Sequence, residues 1–196
     1  MNSITMNVIQ QRVRIGLTAL LVLSACATTT PTTTIQRVDG QVQLADSHLG
    51  ERYSTVIARA TESLNVEPAC ESRKVALSNQ RKAFLYDVCG FEPKQHSFAD
   101  RPLSEVVYHF FERELVRVDV RASGEGALLD TVRSDMNSVF AALSASQNEV
   151  GNNSYQWVAE QQLAGVRAGT GASKGNVHVR LLDATLQNSA PWLAGE

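Results

Sequence analysis

The clearest pattern along this chain is an alternation of apolar and polar residues near its middle. Residues 105–111 and 115–121 place a valine or an aromatic residue at every second position. A period of two is typical of β-strands, and the short gap at residues 112–114 predicts a hairpin with a three-residue loop.

The predicted register of this hairpin separates an apolar face from a polar one. The apolar pairs are Phe110 with Val116, Tyr108 with Val118, and Val106 with Val120. The polar pairs are His109 with Arg117 and Glu105 with Arg121. Because one face of an antiparallel sheet is often in contact with water and these charges cancel, we expect the polar face to be solvated rather than to bind a partner.

Helical periodicity occurs twice, and each time strands follow it. The first predicted helix covers about residues 48–64, with Asp46 or Ser47 as its cap and Asn65 at its end. The second covers about residues 125–146 and has a wide apolar stripe. Its apolar residues are Leu128, Leu129, Val132, Met136, Val139, Phe140 and Leu143.

The end of the chain continues with strands. A turn is predicted at residues 148–154, followed by strands at 155–159, 163–168 and 177–182. The fold class is therefore α+β, an antiparallel sheet of hairpins with two amphipathic helices packed on one face. Both halves read as a helix followed by a meander, so a diverged duplication is one interpretation.

The N-terminus has the layout of a secretory signal. Residues 1–14 are polar and include Arg12 and Arg14, and residues 15–23 form an apolar core too short to span a bilayer. The core leads into Leu23-Ser24-Ala25-Cys26, which resembles the lipobox of bacterial lipoproteins. An ordinary signal peptide with a chance cysteine is the alternative.

The resemblance implies cleavage before Cys26 and attachment of lipid chains, such as palmitate, to that residue. Ala27 in place of Asp favours the outer membrane under the family's sorting pattern, with the folded part facing the periplasm. The expected organisation is a signal peptide at 1–25, a lipidated cysteine and flexible Thr-rich tether at 26–42, and an α+β domain at 43–196.

The remaining cysteines, Cys70 and Cys89, are expected to form a disulfide in an exported protein. Residues 70–77 and 82–89 read as strands, and a two-residue turn at Asn79-Gln80 places the two cysteines directly opposite each other. A redox-active pair usually has a closer spacing, such as Cys-x-x-Cys.

Charge and apolar content exclude some classes of function. The net charge is −2, and it becomes more negative without Arg12 and Arg14, so a nucleic-acid partner is not expected. After residue 26, no apolar run is long enough for a spanning helix.

One segment matches a catalytic motif in its residue types. Gly171 to Gly175 match Gly-x-Ser-x-Gly around Ser173, and His178 and Asp183 follow. A nucleophile elbow requires a helix after the serine, whereas a strand is predicted here, and the order of the three residues differs from that of hydrolases. The same loop lacks the glycine before Lys174 that a phosphate-binding loop has. We therefore expect a hairpin loop and no catalytic residue.

The four histidines do not indicate a metal site. His48, His96, His109 and His178 are not spaced as metal ligands usually are, so neither a metal nor another cofactor is predicted.

The sequence thus favours a non-catalytic outer-membrane lipoprotein that binds an envelope protein partner in assembly, maintenance or scaffolding. Its helix-then-meander layout resembles that of small outer-membrane assembly lipoproteins. The alternatives are a domain that binds a small ligand or lipid between sheet and helices, and, less favoured, a serine hydrolase. An apolar pocket favours the ligand, whereas a filled core with an exposed apolar patch favours the protein partner.

Overall fold

A computed structural model describes residues 32–190 apart from 79, 125, 142, 144–145, 152, 160, 171–173 and 188. The strands of the first half are β1 (Thr32–Thr33), β2 (Ile35–Val38), β3 (Gln41–Leu44), β4 (Ala69–Ala76), β5 (Ala83–Phe91), β6 (Ser97–Phe98), β7 (Arg101–Phe111) and β8 (Glu114–Ser123). Those of the second half are β9 (Ser146–Gly151), β10 (Ser154–Ala159), β11 (Gln162–Ala168) and β12 (Asn176–Asp183). The helices are α1 (Tyr53–Leu64), α2 (Ala127–Ala141) and α3 (Ala184–Gln187).

Most of these strands belong to one antiparallel sheet. In the part of the chain described here, the order of the main path is β4-β5-β7-β8-β12-β11-β10-β9. The short strands β6 and β1 continue it beside the other end of β7. Each half is thus a helix followed by a four-stranded meander, and the halves meet where β8 pairs with β12. The predicted α+β class with its antiparallel meander is confirmed.

Both long helices pack on the same face of the sheet. The buried residues of α1 are Val56, Ala60 and Leu64, and those of α2 are Leu128, Leu129, Val132, Met136 and Phe140. They contact inward-facing strand residues that include Tyr108, Phe110, Val118, Trp157 and Val179. Removal of these large apolar side chains from water is the main driving force for this arrangement.

The opposite side of the sheet, here called the far face, carries a second and smaller apolar cluster. Its buried members are Leu77, Tyr86, Val116, Leu163, Leu182 and Ala190. Residues of α3 pack against this cluster, and Ser78 N donates to the Ser189 carbonyl oxygen at 3.0 Å. The C-terminal part of the described chain therefore covers one end of the far face.

The β7–β8 hairpin differs from its prediction at the turn. The loop has two residues, Glu112 and Arg113, with φ angles of 50° and 70°. A two-residue turn with both residues left-handed matches the twist of the flanking strands, whereas a type I or II turn would splay them. A bulge then pairs His109 with Arg117 but Phe110 with Leu115, so Val116 is the extra residue. The predicted three-residue loop and the Phe110–Val116 pair are wrong, whereas the other predicted pairs are confirmed.

The first helix begins later than the sequence indicates. Gly50 N donates to the Leu115 carbonyl oxygen and Tyr53 N to that of Arg113, at 2.8 and 2.9 Å. Because these bonds hold the segment against β8, the helix begins only at Tyr53, and the predicted caps at Asp46 and Ser47 are wrong. The predicted end is confirmed by Asn65, which has a φ of 50°.

The second helix is shorter than predicted, because a further strand follows it. Strand β9 occupies part of the predicted turn and forms the edge of the sheet beside β10. Residues 146–149 are all polar, so β9 has no apolar alternation from which the sequence could predict it, and residues 147–150 are exposed. None of the helices in the described ranges is long and apolar enough to cross a membrane.

Folded structure also begins before residue 43, where the sequence placed the end of a tether. Strands β2 and β3 form a hairpin, and Val42 and Leu44 are buried in the core beside the helices. The alternation in this short segment, between two stretches of polar residues, was too brief to predict a hairpin.

The β4–β5 hairpin has the predicted register, with Cys70 opposite Cys89 and Val75 opposite Phe84. The two cysteines form a disulfide. It contacts the first residue of α1, since the Tyr53 hydroxyl is 3.7 Å from the Cys70 sulfur and 3.6 Å from the Cys89 sulfur.

We expect reduction of this disulfide to lower the free energy of unfolding by about 3 kcal/mol, because the bond restricts the unfolded chain. Urea denaturation with and without a reductant measures the change. A Cys70→Ala/Cys89→Ala variant is the control, since its stability should not respond to the reductant. Equal midpoints for the oxidised and reduced wild type would contradict the prediction.

Candidate functional site

The polar half of the far face contains two adjoining hollows. The larger, of about 450 Å³, lies over β4, β5, β7, β8 and β12, and the smaller, of about 210 Å³, lies over β8–β12. They share Asp119, His178 and Arg180. Because five arginines line them, we call them together the arginine cleft. These arginines are Arg73, Arg117, Arg121, Arg167 and Arg180.

The carboxylate of Asp119 is the centre of the hydrogen bonding in the cleft. Arg117 Nε donates to its Oδ2 at 2.5 Å, and Arg180 Nε donates to its Oδ1 at 2.7 Å. His109 Nε2 lies 3.0 Å from the same Oδ2. Only 17% of the Asp119 side chain is exposed, and 8% of the Arg117 side chain. This polar cluster is therefore largely buried, and the predicted solvated face is wrong at this point.

The protonation state of the cluster follows from its surroundings. Burial alone raises the pKa of Asp119, but the hydrogen bond from His109 and the charges of Arg117 and Arg180 outweigh it, so this pKa lies well below its usual range. Burial lowers the pKa of His109, so the ring is neutral at neutral pH. An ionised carboxylate only accepts, so the proton of the neutral ring is on Nε2.

Tyr86 completes this chain of contacts. Its hydroxyl lies 2.7 Å from His109 Nδ1, and burial raises the pKa of Tyr86 to about 12. The hydroxyl therefore stays protonated and donates a hydrogen bond to Nδ1. The order of hydroxyl, imidazole and carboxylate matches that of a catalytic triad. However, Tyr86 is only 2% exposed, so its oxygen is not accessible to a substrate in this arrangement. The geometry instead fixes the positions of the arginines.

A second histidine occupies the floor of the cleft. His178 lies between Arg121 and Arg167 in the sheet register. Its Nε2 is buried and has no hydrogen-bond partner among the described residues. Burial lowers the pKa of His178 to about 4, and the nearby arginines act in the same direction.

The structure does not support the alternative that uses His178 with Ser173 and Asp183. Ser173 lies outside the described residues. Asp183 Oδ1 accepts hydrogen bonds from Thr185 N and Oγ1, at 2.8 and 2.6 Å, at the start of α3. It lies five residues along β12 from His178, a separation of about 17 Å in a strand. Asp183 is therefore too far away to orient the imidazole.

The other sequence predictions concern residues elsewhere in the chain. Cys26 lies outside the described residues. The disulfide joins Cys70 on the edge strand β4 to Cys89 on the neighbouring strand β5. Within the described ranges, no three His, Cys, Asp or Glu side chains are grouped as metal ligands.

Sequence reasoning found only part of the cleft. It paired His109 with Arg117 and Glu105 with Arg121, as observed, but gave no role to Asp119 or Arg180. The polar residues at alternate positions of 117–121 and 176–180 were the available signal, since they share one face of each strand. The pairing of these two strands could not be derived locally.

Comparison with known proteins adds no relative to this description. No protein-family model, curated protein or solved structure matches the chain.

Replacement of Asp119 by asparagine should destabilise the protein by about 3–5 kcal/mol, because Arg117 and Arg180 would lose the anion that compensates them. Urea denaturation at neutral pH measures this loss. The matched control is Glu105→Gln at the more exposed Glu105–Arg121 ion pair, which should cost at most about 1 kcal/mol. Similar losses for the two variants would contradict the central role of Asp119.

Acid should weaken the fold in two stages. An unfolded histidine titrates near pH 6.5, above the folded pKa of His178 of about 4, so the unfolded state takes up the proton first as the pH falls. The free energy of unfolding should therefore decrease between these values. The contribution of Asp119 is complete above the unfolded pKa of about 4 and is lost only below it.

His178→Gln should flatten the upper stage of this profile, as measured by urea denaturation across a pH series. The residual slope reflects His109, whose folded pKa is also lowered. His96→Gln, which changes a histidine outside the cleft, is the control, and the upper stage should persist in it because His178 is retained. Parallel profiles for the wild type and His178→Gln would refute the assignment.

Proposed function

We propose that this chain is a lipid-anchored outer-membrane protein of bacteria whose folded part, in the periplasm, binds another envelope protein through the far face of its sheet. The proposed anchor rests on the motif Leu23-Ser24-Ala25-Cys26. The role of the partner contact is assembly, maintenance or scaffolding, and no catalytic step is part of the proposal.

The observation that supports binding is the arginine cleft. Helices α1 and α2 cover the other face of the sheet, and among the described residues α3 and Ala190 cover the apolar end of the far face. The polar end therefore faces outward, with the guanidinium groups of Arg117 and Arg180 held in place by Asp119 before a partner arrives. Such prior ordering reduces the entropy that association costs.

The helix side favours a protein partner over a ligand held between sheet and helices. Trp157, Phe140, Phe110 and Tyr108 fill this layer, and each is at most 1% exposed. These side chains fill the centre of the layer. The hollow of about 520 Å³ at its margin, between the start of α2 and β10–β11, includes Asp130, Asn153 and Lys174 in its lining, so it is not the enclosed apolar cavity that a lipid prefers.

Exposed apolar residues lie next to the cleft. Val150 is 63% exposed and Val158 is 39% exposed, at the β9–β10 end of the sheet. Val150 lines the smaller hollow, and Val158 pairs with Leu163 of the far-face cluster. Apolar contacts beside charged ones are usual in protein interfaces.

The length of the tether restricts where the partner lies. Because Thr32 and Thr33 pair with β6, only residues 27–31 separate Cys26 from the sheet. Even fully extended, the chain from Cys26 to Thr32 spans at most about 20 Å. A lipidated Cys26 would therefore hold the folded part near the membrane surface, and the partner must be accessible there.

The proposed function is tested by placing a photo-crosslinking amino acid at Val158 in the full chain and irradiating intact bacteria. We expect a defined envelope protein to be captured, identified by mass spectrometry, and lost when Arg180→Gln is added. In the Cys26→Ser chain, the protein should leave the membrane fraction and the adduct should decrease, because the lipid holds it near its partner.

The matched control has the same photo-crosslinker at Ser134, an exposed residue of α2 on the helix side. It should not capture that protein. Equal capture from both positions, or none from Val158, would refute the far-face interface. A Cys26→Ser chain that stays in the membrane fraction would refute the anchor.

A further inference from the structure

The arginine cleft is long, and it runs across the strands. Its lining residues extend from Glu71 on β4 to Gln156 on β10, and the two hollows join at Asp119 and Arg180. This path crosses seven neighbouring strands of the sheet. At a spacing of about 4.8 Å between strands, its length is about 29 Å. A single small anion would fill only a fraction of it.

The cleft has a charge opposite to that of the whole chain. Among the described residues, its lining contains five arginines and the carboxylates of Glu71 and Asp119, and Glu105 beside it pairs with Arg121, so an excess of positive charge remains, whereas the full chain has a net charge of −2. The single carboxylate of Asp119 pairs with two guanidinium groups, those of Arg117 and Arg180, and so neutralises only one of their two charges. The local excess of positive charge attracts anions, and guanidinium groups bind carboxylates through paired hydrogen bonds.

Gly165 leaves room in the middle of the cleft. It lies between Arg180 and Gln156 in the sheet register. Its φ is not in the left-handed region, and a methyl group added to it would meet only the Tyr155 carbonyl oxygen, at 3.7 Å, among the described residues. The fold therefore does not require glycine here. A glycine inside a strand often marks the close approach of another backbone.

We propose that the arginine cleft binds an extended acidic segment of the partner protein. Its carboxylates contact the guanidinium groups of Arg121, Arg167 and Arg180, and its backbone passes over Gly165. A segment of about eight residues spans the cleft. Apolar residues at the end of the segment contact Val150 and Val158, which distinguishes it from a lipid headgroup. This inference rests on the proposed function and specifies the chemistry of the partner.

The test measures binding of a fluorescent oligoglutamate of about eight residues, a length that spans the cleft. The lipidated full chain in detergent is titrated, and fluorescence anisotropy reports the affinity. We expect binding that weakens with added salt, since the contacts are between charges. An oligoglutamine of the same length should not bind.

Two changes in the cleft should weaken binding by different means. Arg167→Gln removes one charged contact and should reduce the affinity about tenfold. Gly165→Gln fills the space over the strand and should reduce it at least as much, whereas Gly165→Ala should bind nearly as the wild type does. Arg37→Gln, which removes an exposed arginine from β2, is the control and should leave the affinity unchanged. Circular dichroism should show that all four variants are folded.

Two competition experiments test whether the cleft binds a different anion, either free phosphate or a lipid headgroup. Millimolar inorganic phosphate should compete no better than chloride at equal ionic strength. Phosphatidylglycerol in vesicles that carry the lipidated chain should not displace the peptide, relative to vesicles of phosphatidylethanolamine alone. Displacement by phosphatidylglycerol that requires Arg167 would overturn the proposal in favour of a lipid headgroup. Equal affinities for oligoglutamate and oligoglutamine, or wild-type affinity in both Arg167→Gln and Gly165→Gln, would also overturn it.

The two proposals fail in different ways. If Val158 captures a partner in bacteria but oligoglutamate does not bind, the far-face interface stands and the acidic segment is refuted. If oligoglutamate binds and responds to the cleft variants while Val158 captures nothing, the anion site stands and the envelope partner is refuted.

Discussion

The largely buried carboxylate of Asp119 is the interaction that most constrains how the strands of this structure pair. A largely buried carboxylate is strongly destabilising unless charged or hydrogen-bonding groups surround it. Strand β8 supplies Arg117, β7 supplies His109 and β12 supplies Arg180. These partners come from both halves of the chain. Oδ2 has its partners within the β7–β8 hairpin, whereas Oδ1 receives its bond from Arg180 only when β8 and β12 pair in the observed register, since a slip of one residue would move Arg180 to the other face.

The sequence was most informative where contacts are local. The registers of the two predicted hairpins follow from short turns and alternating residues, and even the opposition of Cys70 and Cys89 could be derived in this way. Prediction failed where distant segments decide the local structure. Helix α1 begins late because the β7–β8 hairpin holds the residues before it. The displacement of Val116 is a separate, local error, since a two-residue turn followed by a bulge replaces the predicted three-residue loop.

The candidate site was missed for the same physical reason. In isolation, the polar face of the β7–β8 hairpin has cancelling charges and resembles an ordinary solvated surface. Pairing with β12 adds Arg180 and His178 beside it, with Arg167 on the next strand, and changes both its burial and its charge. The sequence separation of Asp119 and Arg180 is 61 residues, so no local pattern relates them.

The position of the cleft at this junction connects binding with folding. The first half contains Asp119 with Arg117 and His109, and the second half adds Arg180 as the third partner of the carboxylate. An anionic partner that binds the paired halves more tightly than the separated ones would stabilise that pairing by mass action. The apolar end of the far face needs no partner, because α3 and Ala190 cover it. The polar end is held by one shared carboxylate, and it is the part of the sheet where an acidic partner would add most to stability.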